Sequence, residues 1–181
     1  SFHRVSVDGD TSTNDSVFTM ASGMAGDAAD PSLLEASFDE VCLSLARMIV
    51  ADGEGASRVL EVKVVNAASQ IDAREVAETI GSSLLVRTAV AGGDPNWGRI
   101  IAALGRTEAT FNPDRIRVEA NLVPLFDRGS PIEDPTGAAT KAFSAERVLI
   151  GIDLAAGTAT ETYLTCDLTA EYVRINADYS S

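Results

Sequence analysis

Apolar residues recur at helical spacing in the segment DPSLLEASFDEVCLSLARMIVADGEG, which starts at Asp30. Asp30 is a typical N-cap and Pro31 suits the first helical position, so we predict a helix that starts at Pro31 and ends near Asp52–Gly53. The apolar positions fall on one face of this helix, which predicts that the face is buried. They are Leu34, Phe38, Val41, Cys42, Leu45, Met48 and Ile49.

Strand and helix patterns follow this first helix. RVLEVKVVNA, residues 58–67, alternates in polarity and predicts a strand with Leu60, Val62 and Val64 on one side. A long helix is predicted from Asp72 to Val90. Gly92 and Gly93 would stop it, and Asp94 with Pro95 would start another helix.

The remaining segments predict a sheet with irregular connections. RIRVEANLVPLFD, residues 115–127, predicts a strand or bent strand pair broken at Pro124, and residues 128–142 predict a surface loop. A hairpin is predicted from Val148–Leu154 and Thr158–Asp167, with a turn around Gly157. The expected ends of the chain are a short strand over Phe2–Val7 and a terminal helix or irregular tail capped by Thr169.

The order of these elements favours an α+β fold, a layered sandwich of mixed β-sheet and helices, over a doubly wound fold. Strands and helices do not alternate regularly, and we find no internal repeat. With 181 residues and 45% hydrophobic content, we expect residues 1–181 to form one domain, or one domain with a small lobe.

Charge and cysteine content exclude several classes of function. The net charge of −13 and the scattered Lys and Arg argue against a nucleic-acid partner, because phosphate binding needs clustered cations. Cys42, Cys166 and the single histidine, His3, lack the spacing of a metal site, and no disulfide framework is indicated. No apolar run is long enough to span a bilayer, so we expect a cytoplasmic protein with no membrane partner.

The polar run VDGDTSTNDS, residues 7–16, permits several chemistries. Asp8 and Asp10 after an apolar strand resemble the loop of a haloacid-dehalogenase-like magnesium phosphatase, although Ser12 stands where that family places Thr or Val. A calcium loop is less well matched, because the twelfth position lacks its Glu. A third interpretation is a loop held by local hydrogen bonds of its own Asp, Ser, Thr and Asn side chains. A non-catalytic binding domain would need only this last role.

Four segments in order resemble one family. VDGDTSTNDS, ADGEGAS, GGDPNWGRI and the terminal RINADYSS are similar to segments of the β chain of ornithine acetyltransferase, the bifunctional glutamate N-acetyltransferase of arginine biosynthesis. The resemblance covers essentially the whole chain. It implies an enzyme that moves an acetyl group from N2-acetyl-L-ornithine to L-glutamate by double displacement, with no metal or organic cofactor.

The resemblance also implies parts that lie outside this sequence. In that family a precursor cleaves itself before a threonine, which becomes the nucleophile and is activated by its own α-amine. Ser1 does not match that threonine, so we expect the nucleophile upstream and no catalytic residue within this chain. The oxyanion-hole groups belong to an α chain from the same precursor, and the expected assembly is an α2β2 heterotetramer.

Site residues can be carried over at matching positions. Glu54 aligns with an acid that contacts substrate, and Asn176 and Ser181 align with substrate-binding positions at the C-terminus. The polar run has no catalytic role that the resemblance assigns. We expect it to support the site through Asp8, Asp10, Thr11, Thr13 and Asn14.

Overall fold

The structure, a computed structural model, describes residues 1–27 and 30–179 and shows one mixed six-stranded sheet with helices, in the order β4-β3-β2-β5-β1-β6. The predicted α+β class is confirmed. The strands are β1 (Val59–Ala67), β2 (Arg117–Ala120), β3 (Val123–Asp127), β4 (Ser130–Pro131), β5 (Arg147–Asp153) and β6 (Ala159–Cys166). The helices are α1 (Pro31–Ala51), α2 (Gln70–Gly81), α3 (Leu84–Ala91), α4 (Trp97–Leu104), α5 (Ala138–Phe143) and α6 (Ala170–Asp178).

Side-chain caps set most of the helix starts. The Asp30 carboxylate accepts hydrogen bonds from the backbone nitrogens of Ser32 and Leu33, which confirms the predicted start of α1. The Thr169 hydroxyl accepts from the Tyr172 nitrogen and starts α6, also as predicted. Across the described ranges, no helix combines the length and the apolar content that crossing a membrane requires.

The single helix predicted over 72–90 is wrong, because it is interrupted between α2 and α3. Ser83 has an extended backbone, and its hydroxyl accepts from the Val86 nitrogen at 3.4 Å, so it caps a new helix. Gly92 and Gly93 end α3 as predicted. Helix α4 is capped by Asn96 rather than by Asp94, which lies outside it.

The predicted hairpin between residues 148–154 and 158–167 is also wrong. Both strands exist, but β1 lies between them, parallel to β5 and antiparallel to β6. The reason is burial, since Leu60, Val62 and Val64 of β1 are fully buried, and a strand with such a face is covered better between two neighbours than at the edge of a sheet.

Three irregular segments differ from their predictions. The bend between β2 and β3 falls at Asn121 and Leu122, which have positive φ, while Pro124 lies inside β3. The predicted loop over 128–142 contains β4 and most of α5. The predicted N-terminal strand is a short 3-10 turn over Phe2–Arg4, followed by a single parallel bridge from Val5 to β6.

Two apolar clusters lie on opposite faces of the sheet. The larger one includes Tyr163 of β6 and the buried residues of α2, α4 and α5. The smaller one joins Ala46 and Val50 of α1 to Leu164 and Cys166 of β6. Successive strand residues point to opposite faces, so α1 covers the face that α2 does not.

The predicted buried face of α1 is wrong for six of its seven residues. Only Cys42 is buried, because α1 turns the small residues Ala46 and Val50 toward the sheet. The other six are 46% to 63% exposed, although they are the larger apolar side chains of the helix. They are Leu34, Phe38, Val41, Leu45, Met48 and Ile49.

Candidate active site at the end of strand β6

A tight loop between α1 and β1 contacts the first turn of α6 through backbone atoms. Gly55 has a φ of +67°, and its carbonyl oxygen accepts a hydrogen bond from the Thr169 hydroxyl at 2.7 Å. A Cβ at position 55 would lie 2.9 Å from the Glu171 carbonyl carbon and from the Tyr172 Cα, and closer still to the Tyr172 nitrogen. Only glycine allows this approach, which places its neighbour Glu54 beside α6.

Glu54 and Asn176, both predicted to bind substrate, are in direct contact. The Asn176 side-chain nitrogen donates to Glu54 Oε2 at 2.9 Å and to the Tyr172 carbonyl oxygen at 3.0 Å. Both side chains are exposed. Within the described residues, Glu54 has no ion pair with Lys, Arg or His. The carboxylate is therefore held by an amide on one oxygen and open to a cationic ligand.

The start of the polar run lies against the same loop. Val5 bridges to Leu164, and the Ser6 nitrogen donates to the Leu164 carbonyl oxygen at 3.0 Å. Val7 lies close to Gly53, since a Cβ built on Gly53 would be 3.0 Å from Val7 Cγ1. The N-terminal segment thus brings the following acidic residues to the end of β6.

Three carboxylates act on the hydroxyl of Tyr172. Burial is the largest cause that raises the pKa of Tyr172, and the negative charge of Asp8 is the second. The Arg87 guanidinium opposes the rise, while Glu54 and Asp10 add to it. The negative charges of Asp8, Asp10 and Glu54 therefore all act on the Tyr172 hydroxyl.

The chain matches known proteins over its whole length. The model of the ArgJ family matches residues 1–181. The chain belongs to the ArgJ family. It is 42% identical to the arginine biosynthesis bifunctional protein ArgJ of Prochlorococcus marinus, over 100% of this chain and 45% of that protein. It is also 42% identical to the glutamate N-acetyltransferase of Methanocaldococcus jannaschii, over 99% of this chain and 47% of that protein.

A solved structure has the same ArgJ-family fold. The crystal structure of the arginine biosynthesis bifunctional protein ArgJ of Bacillus halodurans superposes with a TM-score of 0.92 at 39% identity, covering 98% of this chain and 87% of that chain. By contrast, the chain spans slightly less than half the length of the curated relatives it matches. The family assignment thus confirms the resemblance and the fold.

The rest of the polar run of this ArgJ-family chain makes local contacts. The Thr13 hydroxyl donates to the Asn14 side-chain oxygen, and the nitrogens of Asn14 and Asp15 donate to the Ser12 hydroxyl at 3.2 Å and 3.1 Å. Thr11 is exposed, as are Thr13 and Asn14. The structure does not bring these three residues onto Glu54, so their supporting role stays a prediction. Ser181 lies outside the described residues.

The phosphatase alternative is not supported. The family model that matches residues 1–181 is that of the ArgJ family, not of a phosphatase. In the part of the chain that the structure describes, no group of three or more His, Cys, Asp or Glu side chains could hold a metal ion. The charges of Asp8 and Asp10 instead act on the hydroxyl of Tyr172, whose pKa they help to raise.

Arg87 and Asp167 position the site, and the sequence patterns did not predict this role for either residue. Arg87 is 4% exposed, and its guanidinium donates to the Cys166 carbonyl oxygen at 2.8 Å and to the Val7 carbonyl oxygen. Asp167 is 2% exposed and accepts from the backbone nitrogens of Ser57 and Arg58 at 2.8 Å and 3.0 Å. These two buried charges fasten the N-terminal segment and the loop that carries Glu54 to the end of β6.

Arg87 left one signal in the sequence. It is a single cation within the apolar stretch LLVRTAVA, where its neighbours Val86 and Ala89 are buried. An arginine in such a position is rarely buried without carbonyl or carboxylate partners. That pattern could have predicted that Arg87 is buried and hydrogen-bonded, but it does not show which groups Arg87 binds.

Proposed function

We propose that this chain is the β chain of a glutamate N-acetyltransferase that moves an acetyl group from N2-acetyl-L-ornithine to L-glutamate. The observation that carries the proposal is the contact between Glu54 and Asn176, which come from distant parts of the chain and meet at 2.9 Å. The family match and the names of the relatives support it, since those names are "Arginine biosynthesis bifunctional protein ArgJ" and "Glutamate N-acetyltransferase".

The chemistry of the site fits amino-acid substrates. Ornithine and glutamate both carry ammonium groups, and Glu54 offers a carboxylate that Asn176 orients. Asp8 and Asp10 add negative potential, which favours a cation. A charge-assisted hydrogen bond to Glu54 would contribute about 1.5–3 kcal/mol.

The proposed reaction has two acyl transfers. A threonine outside these 181 residues attacks the acetyl carbonyl of N2-acetyl-L-ornithine, and its α-amine takes the hydroxyl proton. The C–N bond breaks, the proton passes to the leaving amine, and ornithine departs from an acetyl-threonine ester. The amine of glutamate then attacks this ester, so N-acetylglutamate leaves and the threonine hydroxyl is restored. The acetyl group passes between substrates through the protein, so no metal or organic cofactor takes part.

The partner proposed for this chain is an α chain cut from the same precursor, in an α2β2 assembly. The lengths of the relatives support two chains. This chain covers 45% of the Prochlorococcus protein but 87% of the crystallised Bacillus chain, which is therefore much shorter than the curated relatives. We propose a cytoplasmic location, because the relatives are named for arginine biosynthesis.

Replacing Glu54 with Gln tests the proposal. The variant is purified with every chain that accompanies this one, and kcat/KM is measured for N2-acetyl-L-ornithine and for glutamate. A loss of about 1.5–3 kcal/mol predicts a fall of about 10- to 150-fold for the substrate whose ammonium Glu54 holds. Glu133→Gln is the matched control, because Glu133 is also an exposed glutamate and lies in the segment that connects β4 to α5. Unchanged kcat/KM for both substrates would remove Glu54 from the site.

The covalent intermediate gives an independent check. Enzyme mixed with N2-acetyl-L-ornithine alone should gain the mass of one acetyl group on a threonine outside this sequence. Added glutamate should remove it. A modified residue within this chain would contradict the proposed location of the nucleophile, and no modification at all would contradict the two-step reaction.

A further inference from the structure

A cleft of about 550 Å³ lies between α1 and the first residues of β1 and β5. Three arginines line it, and each comes from a different element: Arg47 from α1, Arg58 from just before β1 and Arg147 from the start of β5. The chain as a whole is strongly acidic, with 14 Lys and Arg against 27 Asp and Glu. Three arginines at one cleft therefore raise the question of which carboxylate each of them binds.

Two of these arginines have a carboxylate partner within the chain. The Arg147 guanidinium donates to Glu61 Oε2, and Glu61 is 7% exposed. Arg58 donates to the Ala91 carbonyl oxygen at 2.8 Å and lies 3.8 Å from Asp167 Oδ2. The charges of Arg147 and Arg58 are therefore compensated inside the fold.

Arg47 lacks such a partner among the described residues. Its Nε is buried and donates no hydrogen bond, although the side chain as a whole is 38% exposed. Its Nη2 lies 3.9 Å from Glu61 Oε2, beyond hydrogen-bond distance, and that oxygen already accepts from Arg147. Glu146 also lines the cleft, but it is exposed and has no ion pair within the described ranges. A buried donor without an acceptor is destabilising, so an acceptor from outside the chain would stabilise Arg47.

We propose that this cleft binds a small monocarboxylate whose oxygens accept hydrogen bonds from Arg47. A carboxylate matches the planar edge of a guanidinium, where Nε and one Nη donate side by side. One uncompensated cation calls for a single negative charge, whereas a phosphate group carries nearly two. Met48, Ala51, Ala56 and Val59 also line the cleft and offer contacts for a short apolar chain. The volume of the cleft is in the range of small-molecule sites.

The carboxylate site and the acetyl-transfer reaction are proposals that can fail separately. Acetyl transfer is proposed to use Glu54 and Asn176, neither of which lines the cleft. Carboxylate binding is proposed to use Arg47. A variant of Arg47 therefore tests the cleft without removing a proposed substrate-binding residue.

Butyrate is a suitable probe, because it combines one carboxylate with a short apolar chain. Saturation-transfer NMR detects its binding to enzyme purified with every chain that accompanies this one, and a titration gives Kd. We expect a Kd on the order of 1 mM, since the ligand has few atoms. Butyramide has the same shape without the charge and should bind at least about 10-fold more weakly. Equal binding of butyrate and butyramide overturns the proposal.

Two arginine variants locate the binding. Arg47→Met keeps the apolar stem of the side chain and removes the guanidinium, so Kd for butyrate should rise by at least about 10-fold. Arg74→Met is the matched control, because Arg74 is an exposed arginine of α2, on the other face of the sheet, and it should leave Kd unchanged. Butyrate binding that survives Arg47→Met, or that falls equally in both variants, overturns the proposal.

A crystal structure of the enzyme with butyrate gives a second measurement. A carboxylate oxygen should lie about 3 Å from Arg47 Nε. Butyrate bound only elsewhere overturns the proposal. So does an unmutated enzyme that binds no butyrate, because water or an acidic side chain of an accompanying chain would then satisfy Arg47. Should Arg47→Met fail to fold, the crystal structure decides alone.

Discussion

Gly55 provides a sharp test of how the site is assembled. In Gly55→Ala, the new methyl group would meet backbone atoms of Glu171 and Tyr172 at 2.9 Å, and a backbone cannot turn aside as a side chain can. A left-handed conformation costs a non-glycine residue about 1–2 kcal/mol, and overpacking costs about 1–3 kcal/mol more. The sum is about 2–5 kcal/mol. Because α6 has no buried residue, we expect the strain to be relieved by displacing α6.

Gly137 is a matched control for backbone strain. It has a φ of +70°, close to the +67° of Gly55, but no atom lies within 4 Å of a Cβ built on it. Gly137→Ala should therefore show only the conformational cost of about 1–2 kcal/mol. Urea unfolding measures the stability of both variants, and hydrogen exchange reports on residues 170–178.

The expected result for Gly55→Ala is faster exchange of the α6 amides and a raised KM, because Asn176 leaves Glu54. In Gly137→Ala, the exchange rate of the α6 amides and KM should keep their original values. Equal stability, exchange and KM in the two variants would refute the argument that backbone contact between the loop and α6 builds the site.

Two further predictions concern the buried groups at the end of β6. Arg87→Met leaves the carbonyl oxygens of Val7 and Cys166 without their donor, so urea unfolding should show a loss of about 2–4 kcal/mol; a change below about 0.5 kcal/mol would contradict the clamp. Burial raises the pKa of the Cys166 thiol more than the Arg87 cation lowers it, so stability should fall as pH rises above about 8.5, the usual thiol pKa. Urea unfolding across that range checks the fall, and Cys166→Ala should make it shallower.

Local signals predicted the ends of several helices. Asp30 with Pro31, Thr169, and the pair Gly92 and Gly93 act on the backbone within a few residues, so the sequence alone contains what is needed to place them. The break at Ser83 has the same kind of signal, a serine before an apolar run, and could have been found.

Strand pairing could not be predicted from local patterns. A turn around Gly157 suggested that β5 and β6 pair with each other, yet β1 separates them. Which strand lies between two others depends on the burial of all three, and that is a property of the whole sheet. The exposed face of α1 has the same origin, because periodicity reveals an apolar face but not whether this chain covers it.

The candidate site was predictable in part. Motif resemblance selected Glu54 and Asn176, and the structure joins them. Arg87 and Asp167 were missed, because an isolated Arg or Asp is exposed in most sequences and only the fold shows that these two are buried. Thr11, Thr13 and Asn14 belong to a polar run whose residue types suit several functions. The hydrogen bonds of Thr13 and Asn14 are made to neighbours within that run.

The position of β1 between two later strands affects how the chain folds during synthesis. β1 ends at Ala67, but both strands that pair with it are made later, and β6 ends at Cys166. At roughly 5–20 residues per second, a ribosome needs roughly 5–20 s to make the intervening chain of about 100 residues. Until β5 and β6 are made, the valine-rich strand β1 has unpaired edges, which are a template for aggregation. Slow translation should therefore lower the yield of this chain, and chaperones that bind extended apolar segments should restore it.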